Sequence, residues 1–262
     1  MSEFNPPDLE PATFRPKLGA IHRPAPAGTP LLRASLAPIQ PPQECRWDRL
    51  LDLTGDDGLP DALGNDVVAN CVPCAALRQM QLWTGDGRKP TRDQAEALLR
   101  AWDGSPDTGT YTDIAWERFA TRGYPWSDQR KIVPRWTVIE ADGVAPNLIL
   151  LKRAIHALGG VLAVFNMPSS AMTTDPWAMP GSGDSVGSHA VLLAGYDLTA
   201  FYAVSWGYVI PVGYAFVIAR LQQASAFASD AWVRPDGDGG ARTPSGLSVD
   251  ELRAVGAQVA GT

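Results

Sequence analysis

The sequence predicts an α+β fold in which a helical half precedes a half of antiparallel β-strands, with a cleft between the two. Four segments between residues 71 and 158 repeat apolar residues at helical spacing. Residues 159–207 instead contain short β-branched and aromatic segments bounded by Gly, Pro and Asp. Helices first and strands later are typical of the α+β class, and a crevice between two such halves is a common substrate site.

Residues 1–45 form a proline-rich segment without a periodic apolar pattern. They contain ten of the 23 prolines, and runs such as HRPAPAGTP favour extended, polyproline-like backbone. Two interpretations stay open: a flexible tail, or an extended arm that lies on its own domain or docks on a partner. We expect the globular domain to span residues 46–235.

The helical half begins with CVPCAALRQMQLW, whose apolar residues share one face. This face contains Val72, Ala76, Met80 and Trp83. TRDQAEALLRAW follows, with a capping box formed by Thr91 and Gln94. The third helix, TDIAWERFATRG, is predicted to be capped by Thr112. The fourth, NLILLKRAIHALGG, starts near Asn147 and ends at a glycine pair.

Strands dominate the second half of the domain. WTVIEA at 136–141 precedes the fourth helix, and GGVLAVFNMP, SHAVLLAGYD and AFYAVSWG follow it. A loop rich in Ser, Gly, Met and Pro spans residues 167–187. Residues 236–262 are predicted to be a linker and a short helix that opens with a Ser248 and Glu251 capping box.

Composition excludes several classes of function. The net charge of −6 and the pI near 5.1 argue against a nucleic-acid partner, and no apolar run approaches the roughly 18 residues of a membrane span. MSEFNPPDLEP does not resemble a secretory signal, and three cysteines make no disulfide framework. We therefore expect synthesis in the cytoplasm, with no cofactor and no metal.

The stretch LGNDVVANCVPC at 63–74 contains the motif C-x-P-C at the predicted start of a helix. A cysteine there is favoured as a thiolate by unpaired amides and by the helix dipole. Cys71 is thus a candidate nucleophile, whereas Cys74 lies one turn deeper; the alternative is that both are small core residues. A thiol-disulfide oxidoreductase is disfavoured, because LGNDVVAN is too polar for a buried strand. A zinc site lacks a second pair of ligands.

A nucleophilic cysteine needs a base, and the chain has three histidines. His22 lies in the proline-rich segment, and His156 lies within a helix, where a structural role is expected. His189 starts a predicted strand after the glycine-rich GSGDSVGS, a position from which it can face a cleft. His189 is therefore the candidate base.

Together these residues resemble papain-like cysteine peptidases, in particular divergent members encoded by tailed phages and prophages. In that family a cysteine starts the central helix, and a Gln or Asn stands six residues upstream, as Asn65 does before Cys71. The family pattern H-A-V-x-x-x-G-Y is matched from His189, and S-W-G is matched at 205–207. GNDVVANC is similar to the G-N-D-x-x-G-D-C of phage-type members. The likeness covers roughly residues 45–235.

The resemblance implies a two-lobed fold and a peptide or protein substrate. It implies that Cys71 attacks as a thiolate, that His189 carries the proton, and that the Asn65 side chain stabilises the oxyanion with the Cys71 amide. Papain has an asparagine directly before S-W-G to orient the histidine, whereas this chain has Val204. Ser205 is the candidate for that role, and Asp197 is a more distant one.

A second interpretation keeps the fold without the activity. The missing asparagine and the proline-rich arm suit a weak or inactive papain-like protein that serves as a structural component of a phage virion. In that case the arm docks on phage structural proteins by strand addition or groove packing.

Overall fold

The computed structural model describes residues 16–23, 36, 38–127, 130–140, 146–178, 180–181 and 183–257. Within these residues there are six α-helices. They are α1 (Cys71–Thr84), α2 (Arg92–Ala101), α3 (Thr112–Arg122), α4 (Leu148–Leu158), α5 (Tyr214–Arg220) and α6 (Val249–Ala257).

Thirteen strands occur in the same residues, several of them only two residues long. The first six are β1 (Ala20–Ile21), β2 (Cys45–Arg46), β3 (Thr110–Tyr111), β4 (Tyr124–Ser127), β5 (Arg130–Ile132) and β6 (Arg135–Glu140). The others are β7 (Val161–Pro168), β8 (Ser185–Tyr196), β9 (Ala200–Ser205), β10 (Tyr208–Gly213), β11 (Leu221–Ala228), β12 (Arg234–Pro235) and β13 (Ala241–Arg242).

The main sheet is antiparallel along the order β10-β9-β8-β7-β11-β6. Three helices precede most of it along the chain, so the predicted α+β class and the order of its halves are confirmed. Strands β10 and β11, helix α5 and the short strands β1–β5, β12 and β13 were not predicted. Strand β8 is the longest and lies near the middle, and two short strands, β1 and β2, pair with its opposite ends.

Local capping sets several helix boundaries as predicted. Thr91 and Gln94 make both bonds of a capping box at α2, and Ser248 and Glu251 do the same before α6. The prediction that Thr112 caps α3 is wrong. Its hydroxyl is buried and donates to the Gln223 side chain at 3.0 Å, so it ties the helix to β11 instead.

Apolar side chains pack on both faces of the sheet and form two cores. On one face α1 packs with α2 and α3, and on the other α4 packs with α5 and α6. Because strand residues alternate between faces, Ala190 and Leu192 of β8 belong to the α1 core, whereas Val191 and Leu193 belong to the α4 core. Nearly every side chain of α1 is buried, as expected for a helix packed on several sides.

The two ends of the described chain both contact the domain. Residues 16–23 of the proline-rich segment lie along β3 and β8, and residues 1–15 and 24–35 lie outside the described residues. Strand β12, just before the predicted linker, pairs with β13 inside it, and the Ser245 hydroxyl donates to the Ala157 carbonyl at 3.3 Å. In the described part of the chain, no helix has the length and apolarity needed to cross a bilayer.

Candidate active site

A tight loop places Cys71 at the first position of α1. Leu63 and Gly64 have φ values of 54° and 81°, which turn the chain back toward the helix. The Asn70 side chain donates to the Leu63 carbonyl at 3.0 Å and closes this loop. No strand precedes α1 directly, which agrees with the argument against a thioredoxin-like motif. Cys71 is only 1% exposed.

The Cys71 sulfur lies among backbone amides. The Ala190 N–H donates to it at 3.4 Å, and the Gly19 backbone is near enough to the sulfur to act on its pKa. Burial raises the pKa of this thiol to about 11, although the backbone groups of Ala190 and Gly19 act in the opposite direction. In the described state the thiol therefore keeps its proton at neutral pH.

Asn65 lies in the same loop, six residues before the cysteine. Its side-chain amide donates to the Val68 carbonyl at 3.1 Å and is buried. Asn65, Cys71 and Ser205 together line a small cavity of about 20 Å³, which is enough for roughly one water molecule. The structure thus brings three of the four predicted site residues to one cavity.

His189 is fully buried, one residue before the amide that contacts the sulfur. Its Nε2 is hydrogen-bonded to the Ser205 Oγ at 2.7 Å, whereas its Nδ1 has no hydrogen-bond partner among the described residues. Burial lowers the pKa of His189 to about 3. The imidazole is therefore neutral in this state.

A two-residue turn between β9 and β10 fixes the surroundings of the imidazole. Trp206 and Gly207 have φ values of 51° and 82°, and Ser205 pairs with Tyr208 across them, as in a type I′ hairpin. The turn stacks the Trp206 ring on His189 at 4.4 Å between centroids and 17° between planes. A left-handed tryptophan is uncommon, so local packing must hold it.

Strand alternation explains why Ser205, and not the preceding residue, contacts the histidine. Val204 is buried in the α1 core, on the opposite face of β9. Ser205 is adjacent to it and points to the side on which His189 lies. The Asp197 carboxylate, by contrast, accepts bonds from the Thr199 and Ala200 amides and so stabilises the β8–β9 turn.

Trp177 is a neighbour of the site that sequence reasoning missed. It lies in the Ser-, Gly- and Pro-rich loop, pairs with Val212 beside β10, and contacts the His189 ring edge-on at 6.5 Å. It also packs against Trp206 at 6.0 Å. The only signal in the sequence is a tryptophan in an otherwise small and polar loop.

The described part of the N-terminal segment occupies the groove above the sulfur. The Lys17 amide donates to the Asn65 carbonyl at 3.0 Å, and the Thr110 amide donates to the Gly19 carbonyl at 2.9 Å. Ala20 pairs with Thr110 in parallel and with Ser188 antiparallel. The segment is therefore an added strand between the two halves, and it covers Cys71.

The second cysteine of the motif belongs to the same cavity. Cys74 lines it together with Cys71, and its thiol donates to the Ala62 carbonyl at 3.7 Å; all three cysteines are free thiols. His156, by contrast, lies apart from the site and stacks on Trp47 at 6.3 Å, in the α4 region. Among the described residues, no cluster of three or more possible metal ligands exists.

Known structures share this arrangement of elements. Xylellain, a cysteine protease from Xylella fastidiosa, aligns with a TM-score of 0.54 and 17% identity over 81% of this chain and 97% of its own. ProCathepsin B S9 from Trypanosoma congolense aligns with a TM-score of 0.57 and 14% identity, over 82% of this chain and 87% of its own. Procathepsin L 3 of Tenebrio molitor aligns with a TM-score of 0.53 and 12% identity, over 82% of this chain and 76% of its own.

These similarities confirm the papain-like two-lobed fold predicted from the sequence motifs. At such low identity they show the fold alone. Neither protein-family models nor curated proteins give a match to the sequence.

Proposed function

We propose that the protein is a papain-like cysteine peptidase that hydrolyses peptide bonds through Cys71 and His189. The observation that carries the proposal is the shared placement of Asn65, Cys71 and Ser205 around one cavity, with His189 bonded to Ser205. A nucleophile, a base with an orienting partner, and an amide donor are the groups that acyl transfer requires.

The reaction proceeds in two steps. The Cys71 sulfur attacks the substrate carbonyl carbon while His189 takes the thiol proton, and the C–N bond breaks as that proton passes to the leaving amine. Water then attacks the resulting thioester with His189 as base, which releases a carboxylic acid and restores the thiol. The Nδ1 of His189 is the nitrogen that serves Cys71, because Nε2 is engaged by Ser205.

The oxyanion formed in each step is stabilised by hydrogen-bond donors. A side-chain amide nitrogen carries two N–H groups, and one of those on Asn65 is bonded to the Val68 carbonyl. The second, together with the Cys71 backbone amide at the start of α1, supplies the oxyanion hole. The short asparagine suffices because its loop already places it at the cavity.

Ser205 replaces the asparagine of papain as the positioning residue for the histidine. Its hydroxyl oxygen accepts a hydrogen bond when Nε2 is protonated, so it favours the imidazolium that forms during attack. Trp206 and Trp177 cover the ring and restrict water at this bond.

Substrate can enter only after residues 16–23 leave the groove. In the described state the Gly19 backbone lies beside the sulfur, and the Gly19 carbonyl accepts a hydrogen bond from the Thr110 amide. In this orientation the Gly19 carbonyl group is not placed for attack by the Cys71 sulfur. Release of the segment admits water, which lowers the pKa of the thiol and raises that of the imidazole.

Site-resolved alkylation with iodoacetamide, together with hydrolysis of unfolded casein, tests this function. We expect Cys71 to react faster than Cys45, and His189→Ala to slow the reaction of Cys71. The N-terminal segment must open before Cys71 is alkylated in both wild type and His189→Ala. This opening step therefore cancels from the ratio of their two alkylation rates. Casein hydrolysis that is equal in wild type and Cys71→Ser would refute the proposal.

A second candidate is a structural component of a phage particle with weak or no activity. It is supported by the 1% exposure of Cys71 and by the phage-type resemblance of GNDVVANC. The described part of the arm packs on its own domain, so docking on a partner would require its release. Normal assembly of phage particles with Cys71→Ser, and no cleavage of any protein by wild type, would favour this candidate over the first.

A further inference from the structure

Gly19 lies in a slot whose two walls are backbone. On one side a Cβ atom built on Gly19 would overlap the Ala69 carbonyl group. On the other side a Cβ atom on Gly109 would overlap the Gly19 carbonyl. No flexible side chain forms either contact, so neither wall can move aside by a change of rotamer.

Hydrogen bonds tie the two walls together. The Ala69 amide donates to the Pro106 carbonyl at 2.8 Å, which links the loop before α1 to the loop before β3. Ser105 and Gly109 exchange two backbone bonds of 2.8 Å each, and the buried Thr110 hydroxyl donates to the Trp102 carbonyl at 3.0 Å. Widening the slot would therefore break several buried bonds.

The positions on either side of Gly19 accept side chains. Leu18 is half-buried against the α4 core and lies beside Gly187, where a Cβ atom would meet its Cδ1 at 2.9 Å. Ala20 is buried between β3 and β8. Of these three positions, only the one that faces Cys71 is therefore restricted to glycine.

We propose that the backbone slot between Ala69 and Gly109 makes this site selective for peptides with glycine at the residue that faces Cys71, flanked by an aliphatic residue such as leucine. This inference deepens the proposed peptidase function and, for its catalytic part, rests on it. The segment KLGAIHR at 17–23 fills the slot because it carries a glycine at this position.

The full-length variant Gly19→Ala tests the slot without any catalytic step. The added methyl group should expel the segment, so Cys71 should react with iodoacetamide about tenfold faster or more, as expected from a backbone overlap. Lys17→Ala, which changes an exposed side chain of the same segment, is the matched control and should react like wild type. An unchanged rate for Gly19→Ala with an unchanged melting temperature would overturn the inference.

Synthetic peptides then separate this inference from the proposed function. Added to Gly19→Ala, KLGAIHR should protect Cys71 from alkylation at concentrations at least about tenfold lower than KLAAIHR. Equal protection would refute the selectivity, whatever the activity. Fluorogenic peptides with Gly in place of Ala at the corresponding position should be hydrolysed preferentially. Selective protection without hydrolysis would refute the peptidase and leave the slot intact.

Discussion

The histidine side of the site is made by side chains, whereas the cysteine side is made largely by backbone from two separate segments. Around His189, the neighbours are Ser205 and two tryptophans, all supplied by β9 and by the loop and turn that flank β10. Around Cys71, the contacts are the Ala190 amide and the Gly19 backbone. In the proposed reaction the first set would stay in place, whereas the Gly19 backbone would have to leave.

This difference indicates where each side is sensitive to mutation. Side-chain contacts can be removed one at a time, so the histidine side should respond to single substitutions in a graded way. Backbone contacts cannot be deleted by substitution, so the cysteine side should respond mainly to added atoms or to loss of the Asn65 amide. The predictions below use this contrast, in order of decreasing effect.

Removal of the base should have the largest effect. We expect His189→Ala to lower kcat/KM for peptide hydrolysis by about 10³–10⁴-fold, since nucleophile and base act as one unit. His156→Ala removes a histidine that stacks on Trp47, away from the cysteine, and is the matched control. If both variants lost activity equally, the assignment of the base would be wrong.

Loss of the oxyanion donor should come next. Asn65→Ala should reduce kcat by about 10²-fold with little change in KM, as is typical when one oxyanion-hole donor is removed. Asn65→Gln keeps the amide and should recover part of the loss. If a fall in melting temperature accounted for the whole loss of activity, and Asn65→Gln recovered none of it, Asn65 would only stabilise its loop.

Loss of the orienting hydroxyl should have a smaller effect. Ser205→Ala should lower kcat by about tenfold, the scale of one hydrogen bond to a charged group. The variant should also shift the alkaline limb of the pH profile to lower pH, because the hydroxyl oxygen favours the imidazolium. A purely structural role for Ser205 would leave the pH profile unmoved.

Restoring the asparagine of papain at position 204 should not help. Val204 faces the α1 core, so Val204→Asn would bury an amide there and destabilise the protein by about 1–3 kcal/mol. In a Ser205→Ala background it should not recover activity. Recovery of activity would mean that the pairing register of β9 can shift by one residue. The six residue pairs between β9 and β10 oppose such a shift.

The sequence predicted more of the histidine side than of the cysteine side. His189 and Ser205 were named as candidates because they stand in short sequence motifs, and the structure joins them by a hydrogen bond. Trp177 and Gly19 were missed, because a loop and an extended arm reach the site through long-range packing that has no period. The slot at Ala69 and Gly109 depends on backbone contact between distant segments, and no side-chain pattern encodes that contact.

The smallest expected effect is on the pH dependence of stability, to which His189 and Cys71 contribute in opposite pH ranges. Burial lowers the pKa of His189 from its ordinary 6.5 to about 3, so its contribution to stability is complete above pH 6.5 and is lost as the pH falls toward 3. Burial raises the pKa of Cys71 from 9.0 to about 11, so its contribution is complete below pH 9 and is lost as the pH rises toward 11.

When melting temperature is measured as a function of pH, one variant should therefore change the acid limb and the other the alkaline limb. His189→Gln should reduce the acid loss of stability, and Cys71→Ala the alkaline loss, each by at least about 2–4 °C, because one unit of pKa shift corresponds to about 1.4 kcal/mol and about 1 kcal/mol moves the melting temperature by that amount. Cys45, whose pKa burial raises to about 12, is present in both proteins and cancels from their comparison. A variant that altered both limbs equally would show that the two sides titrate as one coupled pair, and the contrast between them would fail.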